Sequence, residues 1–170
     1  MTPILSQNIY LLLLLLILLQ EIYYTTHQFF LSADSINIVV FDSTKSVEEN
    51  EIMFWLKSIQ VQAPGSTLVL VGTFLDKLKK GLTEKDQLDK LVSVSKEIQD
   101  LISELNSSIE EEEKRLRVEM CHWSDSHTLS FWPVSCIDKE GIDSLSEQLT
   151  AITFRYFPFF HYYWSVCFAE

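Results

Sequence analysis

Residues 67–73, with the sequence TLVLVGT, decide the fold class of this chain. The run is mostly apolar and rich in β-branched side chains, and Pro64 and Gly65 mark a turn just before it. A continuous apolar run is typical of a strand that is covered on both faces, as in parallel sheets. Residues 36–41, INIVVF, have the same character and end at Asp42. The two segments therefore predict two buried strands of a parallel sheet.

Helical patterns follow each of these strands. Apolar residues spaced by three or four predict one helix over residues 47–60 and a long one from Thr83 to a solvated, charged end at 110–117. Residues 128–135 predict a third strand, and residues 142–152 a final helix. Such alternation of strands and helices requires right-handed crossovers and a parallel sheet with helices on both faces. The predicted fold class is α/β, a three-layer sandwich with a mainly parallel sheet.

The composition indicates one globular domain without a nucleic-acid partner. The chain has 170 residues, of which 47% are hydrophobic and 22% charged, which is enough for a single core. The formal net charge is −11, and no cluster of Lys and Arg is visible that could bind a phosphate backbone. Cys121, His122 and His127 lack the second cysteine pair that a four-ligand zinc site needs. We therefore predict no metal site.

The N-terminal segment, residues 1–19, contains a leucine-rich run at 10–19. This run is shorter than the roughly 20 apolar residues of a membrane span. It has the length of a signal-peptide core, although no Lys or Arg precedes it, and a buried strand or a gene-model artefact would look the same. The three unpaired cysteines favour a cytoplasmic location. Membrane association through residues 10–19 is the alternative.

Several short motifs occur in a specific order along residues 20–153. They are QEIYYTTHQFFL at 20–31, FWLKSI at 54–59, APG at 63–65, VGTFLD at 71–76, and VS at 134–135 followed by GI at 141–142. In this order they resemble Roc domains, the Ras-like GTPase modules of Roco proteins. The resemblance implies a Ras-like fold of the P-loop NTPase type, GTP and GDP as ligands, and a role in intracellular signalling. Roco proteins join Roc to a COR dimerisation region and sometimes to leucine-rich repeats and a kinase.

The resemblance also implies which residues meet the guanine base. Asp76 matches the aspartate of the guanine-specificity motif, which accepts hydrogen bonds from the N1–H and the exocyclic amine, a donor pair that adenine lacks. Thr73 would hold that loop. Phe74 stands where a Lys or His is usual, so this position keeps a stacking face but loses its cation. Ser135 and Cys136 match the motif whose backbone amides meet the guanine O6.

The phosphate-binding half of such a domain is missing from the sequence. Gln20 matches the glutamine that orients the attacking water, but only nineteen residues precede it, and none of the four glycines opens a loop ending in Lys-Ser/Thr. Leu16 and Leu19 stand where the metal-side Asp and Gly belong, so the Mg²⁺ ligands of the family are absent. We therefore expect guanine-nucleotide binding to be weak or lost and hydrolysis to be absent.

The sequence as a whole leads us to expect a Roc-type GTPase domain that is truncated or derived from a misassembled gene. The alternative is a non-enzymatic interaction module on a degenerate GTPase fold, with a protein partner or a second copy bound through residues 83–117 and an aromatic tail. That tail, residues 154–170, contains the run FPFFHYYW, for which packing, partner binding and a foreign origin all stay open.

Overall fold

The computed structural model describes residues 35–156. Predictions that concern residues 1–34 or 157–170 lie outside this range. They include the role of Gln20, the leucine-rich run at 10–19 and most of the aromatic tail.

A parallel sheet forms the centre of the described part. Strand β1 (Ile36–Asp42) runs alongside β2 (Thr67–Thr73), and seven residues of each are in register, from Ile36 opposite Thr67 to Asp42 opposite Thr73. The other edge of β2 pairs in parallel with two short strands. β3 (Arg117–Val118) lies at the start of β2, and β6 (Trp132–Pro133) lies near its end. Because β2 has neighbours on both edges, it is the central strand of this sheet.

In the described residues, four α-helices and an antiparallel hairpin accompany the sheet. The helices are α1 (Ile52–Gln62), α2 (Leu75–Lys79), α3 (Glu84–Ser107) and α4 (Ile142–Tyr156), with a short 3-10 turn at Glu112–Lys114. The hairpin pairs β4 (Cys121–Ser124) with β5 (His127–Leu129) and lies between β3 and β6 along the chain. The architecture in residues 35–156 is thus mixed α/β with a mainly parallel sheet, and no helix there is long and apolar enough to cross a membrane.

The core confirms the two strands predicted as buried. Leu68, Val69 and Leu70 of β2 are completely inaccessible to solvent, as expected for a strand that is covered on both faces. Helix α1 buries Ile52, Leu56 and Ile59, a spacing of four and three that places them on one face. Further apolar contributions come from α3, the hairpin and α4, among them Leu91, Ile98, Leu129, Phe131 and Ile152.

The start of α1 differs from the prediction. The sequence pattern places it at residue 47, whereas residues 47–51 form hydrogen-bonded turns and the helix begins at Ile52. Glu51 has a φ of 52°, a left-handed conformation that cannot lie inside an α-helix. Glu49, inside the predicted helix, instead exchanges hydrogen bonds with Ser46. The prediction was wrong because this local pair satisfies the backbone ahead of the helix.

The charged segment 110–117 was predicted to be the end of the long helix, and this prediction was wrong. Thr83 caps α3 through the Asp86 amide as expected, but the helix stops at Ser107 and the chain then reaches β3 at Arg117. Asn106 fixes this exit, because its side chain donates to the Leu116 carbonyl and accepts from the Leu116 amide. The side-chain amide of Asn106 thus holds the chain out of the helix, although the helical pattern of the sequence continues into the charged segment.

The predicted third strand, residues 128–135, is divided in two. β5 pairs with β4 in the hairpin, whereas β6 pairs with the central strand β2. Ser130 lies between β5 and β6 along the chain. The Ser130 amide donates to Ser95 Oγ of α3 over 2.8 Å, and its hydroxyl donates to the Ser95 carbonyl over 2.9 Å. Both serines are buried. Because the Ser130 amide donates to Ser95 and not to a neighbouring strand, the predicted strand is interrupted at Ser130.

We expect Ser95→Ala to lower the free energy of unfolding by about 1–3 kcal/mol, because it leaves the buried Ser130 amide without a partner. The exposed Ser93→Ala on the same helix is the matched control and should change stability by less than about 0.5 kcal/mol. Urea denaturation followed by circular dichroism measures both. Equal stability of the two variants would show that the Ser95–Ser130 contact does not hold the chain at this point.

The two described cysteines should differ in reactivity. Cys121 is buried in β4, and burial raises the pKa of its thiol to about 11, whereas Cys136 is exposed. Because the thiolate is the nucleophile, we expect iodoacetamide at pH 8 to label Cys136 in the native protein and Cys121 only after urea is added. Peptide mass spectrometry distinguishes the two sites. Rapid native labelling of Cys121 would contradict the packing of the hairpin.

Candidate functional site

The ends of β2 and β6 are tied together by the main chain of Val134. Its amide donates to the Gly72 carbonyl over 2.8 Å, and its carbonyl accepts from the Leu75 amide over 3.1 Å. Gly72 is near the end of β2, and Leu75 opens α2. The segments that follow the two strands, residues 73–79 and 134–141, therefore lie side by side at the carboxyl edge of the sheet, where open α/β sheets bind ligands.

Asp76 and Ser135 meet at this edge. Ser135 Oγ lies 3.2 Å from Asp76 Oδ1, and it also accepts a hydrogen bond of 3.0 Å from the Asp138 amide. Ser135 is completely buried, while Asp76 is half-buried on the first turn of α2. Asp76 Oδ1 is the nearer acceptor for the serine proton, since Asp138 Oδ2 lies 3.5 Å away, and the remaining lone pairs of the Asp76 carboxylate stay available to a ligand.

Thr73 joins the ends of β1 and β2. Its hydroxyl donates to the Phe41 carbonyl over 2.9 Å, and its own carbonyl accepts from the amide and the hydroxyl of Ser43. Asp42, just before Ser43, accepts hydrogen bonds from the amide and the hydroxyl of Thr44. Partial burial opposes ionisation of Asp42, but these two bonds and the charges of Lys45 and Lys77 together outweigh it and lower the pKa of the carboxyl. The β1 end of the site thus carries a negative charge.

Phe74 lies between these two groups of contacts. It precedes α2 in a left-handed conformation with a φ of 62°, and 38% of its surface is exposed. The Lys77 ammonium lies 3.8 Å from the centre of its ring. The sequence prediction did not include Lys77 and held that the usual cation is lost at position 74. The only available signal was the spacing of three residues between Phe74 and Lys77, which places the two side chains together only once α2 is recognised as a helix.

The loop after Ser135 is held in a sharp turn. Gly141 has a φ of +76°, and a Cβ atom there would lie 2.4 Å from the Pro133 carbonyl oxygen. The Ser135 amide donates to the Glu140 carbonyl over 3.0 Å, and the Glu140 side chain forms an ion pair with Lys79 of α2. Cys136 lies on the exposed side of this turn. The structure therefore brings Thr73, Phe74 and Asp76 to the same edge as Ser135 and Cys136.

Within residues 35–156 the structure contains neither a metal-ligand cluster nor a glycine-rich loop. No group of three His, Cys, Asp or Glu side chains within residues 35–156 could hold a metal ion. His127 contacts the hydroxyls of Ser124 and Ser126 and takes part only in hairpin contacts. Across the same range, the glycines are in turns or, for Gly72, inside β2, and none belongs to a glycine-rich loop that opens a helix.

The sequence is similar to short segments of much longer kinases. A 60-residue stretch, 35% of this chain, is 47% identical to 2% of the probable serine/threonine-protein kinase pats1 of Dictyostelium discoideum. A 64-residue stretch, 36% of this chain, is 44% identical to 2% of the probable serine/threonine-protein kinase roco5 from the same organism. A 57-residue stretch, 33% of this chain, is 44% identical to 2% of the leucine-rich repeat serine/threonine-protein kinase 1 of Caenorhabditis elegans.

These relatives are matched over a small part of their length, since this chain spans 2% of each of the three. No protein-family model matches the sequence, and no solved structure matches it significantly. About a third of this chain is thus similar to segments of serine/threonine kinases of the Roco and leucine-rich-repeat type, which fits a fragment related to that group of signalling proteins.

Proposed function

We propose that this chain is the base-recognising part of a Ras-like GTPase domain of the Roc kind, within the context of an intracellular signalling protein. The observation that carries the proposal is the Ser135 Oγ–Asp76 Oδ1 contact of 3.2 Å, which directs a carboxylate at the carboxyl edge of a parallel sheet. The similarity to Roco-type kinases supports the same assignment, because Roco proteins contain a Roc domain.

Asp76 supplies the selectivity in this proposal. A carboxylate accepts two hydrogen bonds side by side, and the N1–H and 2-amino groups of guanine form the matching pair of donors. Adenine has an unprotonated N1 and no 2-amino group, so it would leave Asp76 unpaired. The exposed turn after Ser135 places the backbone amide of Cys136 near the same edge, where it would face O6. Phe74 would supply a flat apolar surface for the base.

Phosphate contacts are not part of the proposed site. In phosphoryl transfer, bound Mg²⁺ and phosphate-cradling amides stabilise the developing charge. The residues present do not fit that half of the chemistry, because the sequence has no glycine-rich phosphate loop and residues 35–156 contain no metal cluster. We therefore propose recognition of the base without hydrolysis by this chain.

Replacement of one carboxylate oxygen should change which base is bound. In Asp76→Asn the amide NH₂ would face the 2-amino group of guanine, donor against donor, but would donate to the 2-carbonyl of xanthine. We expect the affinity for GMP to fall by about ten-fold, since an unpaired buried donor costs about 1–3 kcal/mol, and the affinity for XMP to rise. Equilibrium dialysis of the full chain with GMP, XMP and AMP measures the change.

The control for this experiment is Asp89→Asn, which makes the same chemical change at an exposed position of α3. It should bind all three nucleotides as the wild type does. Equal binding of GMP and AMP by the wild type, or unchanged selectivity in Asp76→Asn, would contradict the proposal.

GTP and GMP should bind the full chain with similar affinity, with or without Mg²⁺, and no phosphate should be released. The reason is that only the base has a proposed site, so additional phosphates find no matching donors. Titration with fluorescent nucleotides and a phosphate-release assay provide the measurements. Tight, Mg²⁺-dependent binding of GTP with turnover would contradict this reading. Failure of both nucleotides to bind would instead favour the non-enzymatic interaction module.

A further inference from the structure

The surroundings of Phe74 suggest a role for a residue outside the predicted site. The Lys77 ammonium lies 3.8 Å from the centre of the Phe74 ring, well within the distance of roughly 6 Å at which a cation interacts with an aromatic face. Both residues are exposed, and both belong to the segment that carries Asp76. The contact therefore places a positive charge against one face of the only exposed aromatic ring beside the proposed base site within the described residues.

The charges around this ring are arranged on two sides. Asp76 is held by Ser135, which follows β6 on one edge of β2. The charge of Lys77 helps to lower the pKa of Asp42, at the end of β1 on the opposite edge of β2. Asp76 is thus held on the β6 side of β2, while the Lys77 ammonium lies against the Phe74 ring.

We propose that Lys77 is a positioning residue for the guanine base, acting through Phe74. The base, with its hydrogen-bonding edge on Asp76, stacks on the ring face that Lys77 leaves open. The ammonium on the other face draws electron density from the ring, which strengthens its stacking on an electron-rich purine and restricts the ring to one orientation. Position 74 has Phe where a Lys or His is usual, and Lys77, three residues later, supplies a cation there instead. This inference rests on the proposed function of the site.

The test uses guanosine, which has no phosphate that a lysine could contact. We expect Lys77→Ala to raise the Kd of the full chain for guanosine by roughly two- to five-fold, the effect of an exposed cation–π pair, and to lower the melting temperature by no more than about 4 °C. Lys77→Arg should restore the wild-type Kd, because a guanidinium also stacks on aromatic faces. The control is Lys80→Ala, at an exposed position one helical turn further on. NMR titration gives each Kd.

A double-mutant cycle distinguishes action through the ring from direct contact with the ligand. In a Phe74→Leu background, Lys77→Ala should cause no further loss, since the two residues act as one unit. The proposal is overturned if Lys77→Ala leaves the Kd unchanged or lowers it, or if its effect persists without the ring. If these outcomes occur while Asp76→Asn still shifts the binding preference from GMP to XMP, the role of Lys77 is wrong and the proposed function stands. A wild-type chain that binds no guanosine overturns both proposals.

Discussion

The main chain of Val134 is the constraint on which the functional edge depends. Its amide and carbonyl bridge Gly72 and Leu75, so the end of β2 and the start of α2 are both fixed to the segment after β6. These bonds use backbone atoms, which makes them independent of the side chain at position 134. Gly72 leaves room for the buried Phe131 ring beside this bridge, because a Cβ atom at position 72 would lie 2.8 Å from that ring. Asp76 and Ser135 meet because this bridge exists.

The parts of the fold that the sequence predicts correctly are those with strong local signals. β1 and β2 are long apolar runs, and Thr83 begins α3 as an N-cap. The third strand was predicted wrongly because a contact between two serines 35 positions apart interrupts it, and no local pattern reports such a contact. At the site, strand ends and family resemblance indicated Asp76 and Ser135. The contact between Lys77 and Phe74 was not predicted, because it is recognisable only after the short helix α2 is known, and five residues are too few for a periodic pattern.

The proposed site separates two tasks that a nucleotide-binding domain usually combines. Base recognition depends on a few hydrogen bonds and one stacked ring, whereas affinity for a triphosphate comes largely from phosphate and metal contacts. Each hydrogen bond contributes about 0.5–1.5 kcal/mol net. The few hydrogen bonds of a base-only site therefore amount to about 4 kcal/mol, which corresponds to a Kd of about 1 mM. Selectivity can therefore persist where strong binding does not. In a longer signalling protein, such a segment would depend on other residues for its phosphate contacts.

The account can be tested most directly by following the backbone amide signals of the ¹⁵N-labelled chain while GMP or AMP is added. We predict that GMP shifts the signals of two segments, residues 73–77 and 135–138, and that AMP at the same concentration leaves both unchanged. The bridge through Val134 holds these segments side by side, so their joint response tests the fold and the base site together. Shifts confined to other residues, or equal shifts with AMP, would contradict the assignment of this edge as a guanine site.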